Sequence, residues 1–208
     1  LGSMYGLIAL GFYITFAVSS TVNFAQGSAM MLGAVFAYSF SATFGWPLAA
    51  AIAMSLVLCA IYGLAVERLA VRPFVARGSN AWLMATVALG IIADNAVLFT
   101  FGKEPRGFTQ ATIAGSVRIG EITVLAQQLV IPAVGIATAA VLSVVARRTR
   151  LGKALLAVVQ NAEAAQLMGI DVKKAVAAAY AVSTVFAGIA GILIAPLFNV
   201  HSDMGTLF

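Results

Sequence analysis

The chain has 208 residues, of which 62% are hydrophobic and only 9% charged, with a formal net charge of +5. Soluble domains carry about 25% charged residues, so the composition excludes an ordinary soluble enzyme or binding module and describes an integral membrane protein. The twelve Lys and Arg lie between the apolar runs, as in membrane loops, and form no nucleic-acid-binding patch. A single cysteine, Cys59, excludes an intrachain disulfide, and a single histidine, His201, excludes a multi-histidine metal site; no metal and no cofactor are expected. The start, Leu1-Gly2-Ser3, lacks the basic region of a cleavable signal peptide and reads as that of a trimmed or fragmentary chain.

A spanning helix needs about 20 mainly apolar residues. Six stretches qualify: 4–22, 28–44, 47–66, 81–101, 124–146 and 174–197. The expected fold is therefore all-α, a polytopic helical bundle of about six spans. Small residues at helical spacing, as in Gly33-xxx-Ala37 and Gly188-xx-Gly191, allow the close helix packing that lipid requires. Between the first two spans lies Asn23-Phe24-Ala25-Gln26-Gly27, a short polar break. Freed backbone groups in a membrane must be satisfied by protein or by water in a cavity, so this is either an interfacial turn or a helix discontinuity lining a pathway. Gly45-Trp46-Pro47 is a turn, with Trp46 suited to the interface and Pro47 to the first turn of the next helix. Asp94, followed by Asn95, is the only charge in the interior of any of the six spans, Lys174 standing at the very start of the last. Such a residue faces the bundle interior or water, either bonded to a neighbouring helix or placed on a substrate path. Residues 102–123 form a longer polar loop with an extended piece between Arg118 and Thr123. Pro132 is placed to kink the fifth span, and Pro196 to close the sixth.

Orientation follows from the basic residues. Loop 67–80 holds Arg68, Arg72 and Arg77, and loop 147–174 holds six Lys and Arg. Two spans separate these loops, so they share one face, and the positive-inside rule makes that face cytoplasmic. Counting back, 23–27 belongs to the same side.

The basic island centres on Glu163-Ala164-Ala165-Gln166-Leu167-Met168-Gly169. Asn161 is a suitable N-cap, Glu163 sits where the helix dipole favours an acid, Gly169 can end the helix with φ > 0, and Asp171 can cap the next one. A helix of about two turns is not stable alone in water, so it must lean on its own protein, on lipid or on a partner.

Glu-Ala-Ala followed by three residues and Gly resembles the EAA loop of ABC-importer membrane subunits, and the wider runs Ala157–Val172 and Val22–Ala34 resemble branched-chain amino-acid permeases of LivH type. That family usually carries Asn-Phe-Ala-His-Gly-Glu where this chain has Asn-Phe-Ala-Gln-Gly-Ser, so Gln26 and Ser28 are departures that leave the exact substrate open. The Ile-x-Leu-Pro continuation of the EAA signature is also missing. The resemblance implies a single transmembrane permease domain over 1–208, incomplete at its C-terminus, with 147–174 as a cytoplasmic coupling loop. It implies that Asn161, Glu163, Ala164, Ala165 and Gly169 couple to an ATPase, with the two alanines small enough for close approach. Asn23, Gln26, Asp94 and Asn95 are the candidate pathway residues. The implied partners are a second homologous permease subunit (identical or not), two cytoplasmic ABC ATPase subunits, an external solute-binding protein and the bilayer of a bacterial inner membrane.

The chain itself has no engine. Neither Gly102-Lys103 nor Gly152-Lys153 sits in a phosphate-binding loop, and no zinc-protease, paired-cysteine or serine-hydrolase motif occurs. It reads as a transport subunit and not an enzyme, moving branched-chain or related amino acids into the cytoplasm. The alternatives are a secondary transporter or channel for a small polar solute, which should carry more mid-membrane charges than Asp94, an ABC permease for urea, amides or organic acids, and a structural subunit with no conduction path.

Overall fold

The computed structural model describes residues 2–102, 104–108, 116–119, 122–198 and 200; side chains between 109 and 128 are not described. His201, the rest of the tail and part of loop 102–123 lie outside these residues. The helices are α1 (Gly2–Ser19), α2 (Gln26–Tyr38), α3 (Leu48–Val66), α4 (Arg72–Val75), α5 (Trp82–Phe101), α6 (Ala126–Arg148), α7 (Arg150–Gln160), α8 (Ala162–Leu167) and α9 (Val172–Phe198). Single π turns extend α2 over Ser39–Thr43 and α3 over Glu67–Val71. The exception to the all-helical plan is a small antiparallel ribbon, β1 (Ser116–Ile119) with β2 (Ile122–Leu125), in register Ser116 to Leu125. It is the extended piece expected there.

Among the described residues, five helical stretches are long and apolar enough to cross a membrane: Gly2–Ser19, Leu48–Val75, Trp82–Phe101, Leu129–Arg148 and Val172–Phe198. The expected span 28–44 is not one of them. It forms the 13-residue α2 and the π turn after it. The two are continuous over Gln26–Thr43 and run between the two ends of the bundle; what sets them apart from the outer helices is their environment. Ala29, Met30 and Met31 are 0%, 1% and 0% exposed, and successive helical residues point about 100° apart, so protein surrounds α2 on every side. A run of apolar residues cannot tell lipid from a protein interior. The lipid-facing rows lie on the outer helices, with Tyr13 and Phe16 on α1, Ile92 and Phe99 on α5 and Ile136 on α6 all exposed.

Helix α9 packs closest to α2. A methyl group on Gly33 would lie 2.6 Å from the Gly188 carbonyl oxygen, and one on Gly191 would lie 2.8 Å from the Met30 carbonyl carbon. Neither glycine leaves room for a side chain. Hydroxyls tie α3 into the same core: Ser55 Oγ donates to the Gly33 carbonyl on α2 at 2.8 Å, and Thr184 Oγ1 on α9 donates to the Cys59 carbonyl on α3 at 2.8 Å. Small residues and side-chain hydrogen bonds do the work that apolar burial does in water. Pro196 does not close α9, which runs on to Phe198; a proline withdraws its own N–H and crowds the preceding turn, and leaves the residues after it able to stay helical.

The two ends of the bundle differ. At one end Arg106 and Val200 exchange backbone hydrogen bonds of 2.9 and 2.8 Å, tying the loop after α5 to the chain beyond α9. The Arg106 guanidinium stands 4.5 Å over the Phe101 ring. The Gly45-Trp46-Pro47 turn has φ +69° at Gly45, and Trp46 stacks on Phe40. At the other end a cavity of about 370 Å³ is lined by Ser19 and Ser20 after α1, Glu67 and Arg72 around the second π turn, and Ala162 and Lys173 beside α8. Loops 67–80 and 147–174 therefore share a face with the α1–α2 break, the arrangement expected from the charge distribution. In a Cys59→Ala background, cysteines introduced at Ser79 and Gln166 should react with a membrane-impermeant maleimide from the same side of the membrane, and a cysteine at Glu104 from the opposite side. Labelling of Ser79 and Gln166 positions from different sides contradicts the fold.

Candidate functional site

Two places carry the chemistry, the α7–α8 island and the buried break between α1 and α2. The island is built from local signals. Thr149 caps α7, its Oγ1 accepting from the Gly152 N–H at 3.0 Å. Asn161 leaves the helical region at φ −160° and caps α8, its Oδ1 accepting from the Ala164 N–H at 2.9 Å. Gly169 then takes φ +84°. Its N–H reaches the Gln166 carbonyl, and the Ile170 N–H reaches that of Ala165, both at 3.0 Å. This is the Schellman pattern, which satisfies the free carbonyls of a helix end. Asp171 starts α9 by accepting from the Lys174 N–H at 3.1 Å and pairing with the Lys174 ammonium at 3.3 Å. The bond from that N–H, and then the side-chain contact, hold the Asp171 carboxyl below its ordinary range. Between α8 and α9 the chain has only four residues, Met168 to Asp171, pinned by these bonds.

Only Ala165 of α8 faces inward, at 5% exposure, packed with Val158 of α7 and Ala175 and Ala179 of α9. Its small size thus serves contact with its own bundle. Asn161, Glu163 and Ala164 are exposed. So are two residues the motif does not include: Leu167 is 89% and Met168 83% exposed. Large apolar side chains held out to water at the tip of a polar island are a docking feature when they are adjacent. Their signal in the sequence is the pair of apolar residues before the terminating glycine.

The break is enclosed. Asn23 is 0% and Gln26 1% exposed. Asn23 Oδ1 accepts from the Ala25 N–H at 3.1 Å, and its amide donates to Gln26 Oε1 at 3.3 Å. Gln26 Nε2 donates to the Ser183 carbonyl at 3.1 Å, and Ser183 Oγ donates back to Gln26 Oε1 at 2.9 Å. Gly11 makes space for this amide, since a side chain there would collide with it. Upstream, Ser19 meets Thr21 at 2.6 Å and Thr21 meets the Tyr180 hydroxyl at 2.7 Å. Ser20 holds φ +54°, the one non-glycine with positive φ among the described residues. Protein groups satisfy the interrupted backbone, as a membrane interior demands. The partners Tyr180 and Ser183 lie 159 and 157 residues away, beyond any local sequence signal.

Asp94 and Asn95 part company. Asp94 is half-buried near Tyr62, whose hydroxyl donates to the Leu89 carbonyl at 3.5 Å. Asn95 is exposed and donates to the Ile91 carbonyl of its own helix at 2.8 Å. The third span ends in a pair that no sequence motif marks. Glu67 is buried and accepts two hydrogen bonds from Arg72, both 3.0 Å. Among the described residues no group of three or more His, Cys, Asp or Glu could hold a metal ion.

A family model described as branched-chain amino acid transport system / permease component matches residues 1–208. The chain is 27% identical over 212 residues to the high-affinity branched-chain amino acid transport system permease protein LivH of Escherichia coli K12, covering 96% of this chain and 69% of that one. It is 26% identical over 214 residues to the permease protein BraD of Pseudomonas aeruginosa, with the same coverage. It is 29% identical over 196 residues to a probable LivH permease of Methanocaldococcus jannaschii, covering 89% and 60%. No solved structure matches the chain.

The geometry sets two stability effects. Gly169→Val forces a branched side chain into positive φ and should cost about 1 kcal/mol or more, seen as earlier proteolytic cleavage at 161–171 with the spans intact. Gln26→Leu leaves the Ser183 hydroxyl and the Asn23 amide without their acceptor and should lower stability by about 1–3 kcal/mol, read as a lower melting temperature in detergent. An unchanged melting temperature would remove the amide network from the account.

Proposed function

Because the chain belongs to the branched-chain amino acid transport permease family, we propose that it is the membrane subunit of an ATP-driven importer that carries branched-chain or related amino acids across a bacterial inner membrane into the cytoplasm. It is a multi-pass transport permease and not an enzyme. Hydrolysis falls to two cytoplasmic ATPase subunits; a second homologous permease and an external solute-binding protein complete the assembly. The observation that carries the reading is the family match over the whole chain; the exposed, doubly capped α8 gives it a mechanical part.

In this proposal residues 147–174 are the coupling loop of a single permease domain over 1–208. Glu163 and Ala164 face the ATPase, Leu167 and Met168 enter its groove, and Asn161 and Gly169 fix the helix ends. Ala165 supports α8 from below. Helix α8 joins α9 through four bonded residues, so a push on α8 is delivered to α9. Tyr180 and Ser183 lie about 12 and 16 Å along α9 from its start at about 1.5 Å per residue, and both bind the α1–α2 break. Displacing α9 strains those hydrogen bonds, each worth about 1 kcal/mol net, and shifts Thr21 and Gln26. ATP-driven movement at the loop thereby reaches the candidate pathway residues Asn23, Gln26 and Asp94. Asn95 joins them only if the second permease covers that face of α5.

Leu167→Asp/Met168→Asp should leave membrane insertion and melting temperature unchanged, because both side chains are in water, and should abolish ATPase capture and leucine uptake by the reconstituted complex. A double variant that binds its ATPase and transports at the normal rate would rule out the coupling assignment. Uptake of urea or an organic acid in place of leucine would redirect the substrate and leave the coupling intact.

A further inference from the structure

Helix α6 meets the bundle along a groove. It is about 550 Å³ in volume, open on one side, and lined by Val134, Val141 and Val145 of α6, Val185 and Ile189 of α9 and Ala60 of α3. Its one hydroxyl on α6, Thr138, is turned onto its own helix, donating to the Val134 carbonyl at 2.7 Å. Nothing in this lining can hold the ammonium or carboxylate of an amino acid, so the groove is no part of a substrate path. From Val134 to Val145 it runs about 16 Å at 1.5 Å per residue, about half of a 30 Å hydrocarbon core, or the depth of one leaflet.

One end of the groove is marked by charge. The lining row Val134, Thr138, Val141, Val145 steps by four, three and four, and the next step of three is Arg148. Arg147, Arg148, Arg150 and Lys153 are all exposed, and neither ion pair among the described residues involves them. The α6 dipole alone favours a basic residue or two at its end, but it does not account for the pattern of α7. There the apolar Leu151, Leu155, Leu156 and Val159 fall on one side, while Arg150, Lys153 and Gln160 fall opposite. Leu151, Leu156 and Val159 remain exposed. A short basic amphipathic helix with an uncovered apolar edge belongs in the headgroup layer.

We propose that the α6–α7 corner and the adjoining groove form a binding site for one anionic phospholipid of the leaflet on that side. One acyl chain lies in the groove between α6 and α9, and the phosphate meets Arg147, Arg148 and Lys153. The site wedges lipid between α6 and α9 just ahead of the island that carries α8. The inference does not depend on the transport reading; it needs only that α6 and α9 span the membrane.

The test uses the full-length protein reconstituted in equimolar phosphatidylglycerol and phosphatidylcholine vesicles, extracted gently, with retained lipid counted by native mass spectrometry. The wild type should retain phosphatidylglycerol over phosphatidylcholine by roughly tenfold, the scale set by several basic residues at an anionic surface. Arg147→Gln/Arg148→Gln, at exposed positions that leave the fold alone, should erase the preference. Val185→Trp should displace both lipids by filling the groove. Equal retention of the two lipids by the wild type, or a preference that survives the double substitution, overturns the proposal. So does a Val185→Cys protein that cross-links across the groove to a second polypeptide, which makes the groove a protein interface.

Discussion

The bundle depends on how closely α2 and α9 approach. Lipid offers no hydrophobic reward for burying one helix against another, so contact must come from backbone proximity and dispersion. Gly33, Gly188 and Gly191 supply it. Their spacing brings α9 against α2 over much of the length of α2, and α3 and α5 pack on other sides of it. Placing α2 inside then forces its N-terminal end, where the chain turns in from α1, to satisfy its polar groups within the protein. The Asn23–Gln26–Ser183 and Thr21–Tyr180 bonds meet that demand. Helix packing and polar network are thus one arrangement seen at two depths.

The same helix, α9, also begins at the exposed island. Its first turn is capped by Asp171, its second and third turns carry Ala175 and Ala179 against α7 and α8, and its third and fourth hold the break through Tyr180 and Ser183. Any force entering at α8 meets α9 before any other span.

The features legible in the sequence are local or compositional. Asn161, Gly169 and Asp171 act through bonds within a few residues, and the structure places each in the capping role its chemistry suggests. The shared face of loops 67–80 and 147–174 follows from charge counting. Residues 28–44 read as a span like the others, yet α2 and its π turn run between the two ends of the bundle inside a wall of protein, because apolar composition reports exclusion from water and not what does the excluding. Helix α9 runs two residues past Pro196 because the ring acts on the turn before it and not on the residues that follow. Asp94 and Asn95 are neighbours in sequence but lie a third of a turn apart on α5, so one turns inward and the other out. The Gln26–Ser183 clamp and the pairing of the buried Glu67 with the half-buried Arg72 need the fold itself.

The central mechanical claim is that α8 and α9 move together and disturb the buried break. Spin labels at Gln166 on α8 and at Phe24, the exposed residue of the break, report on it directly by pulsed electron–electron distance measurement in the assembled complex with its ATPase. The account predicts that trapping the ATP-bound state shifts the Gln166–Phe24 distance distribution in one direction and that hydrolysis restores it. A distribution unchanged between the two states of a complex that still transports would contradict it.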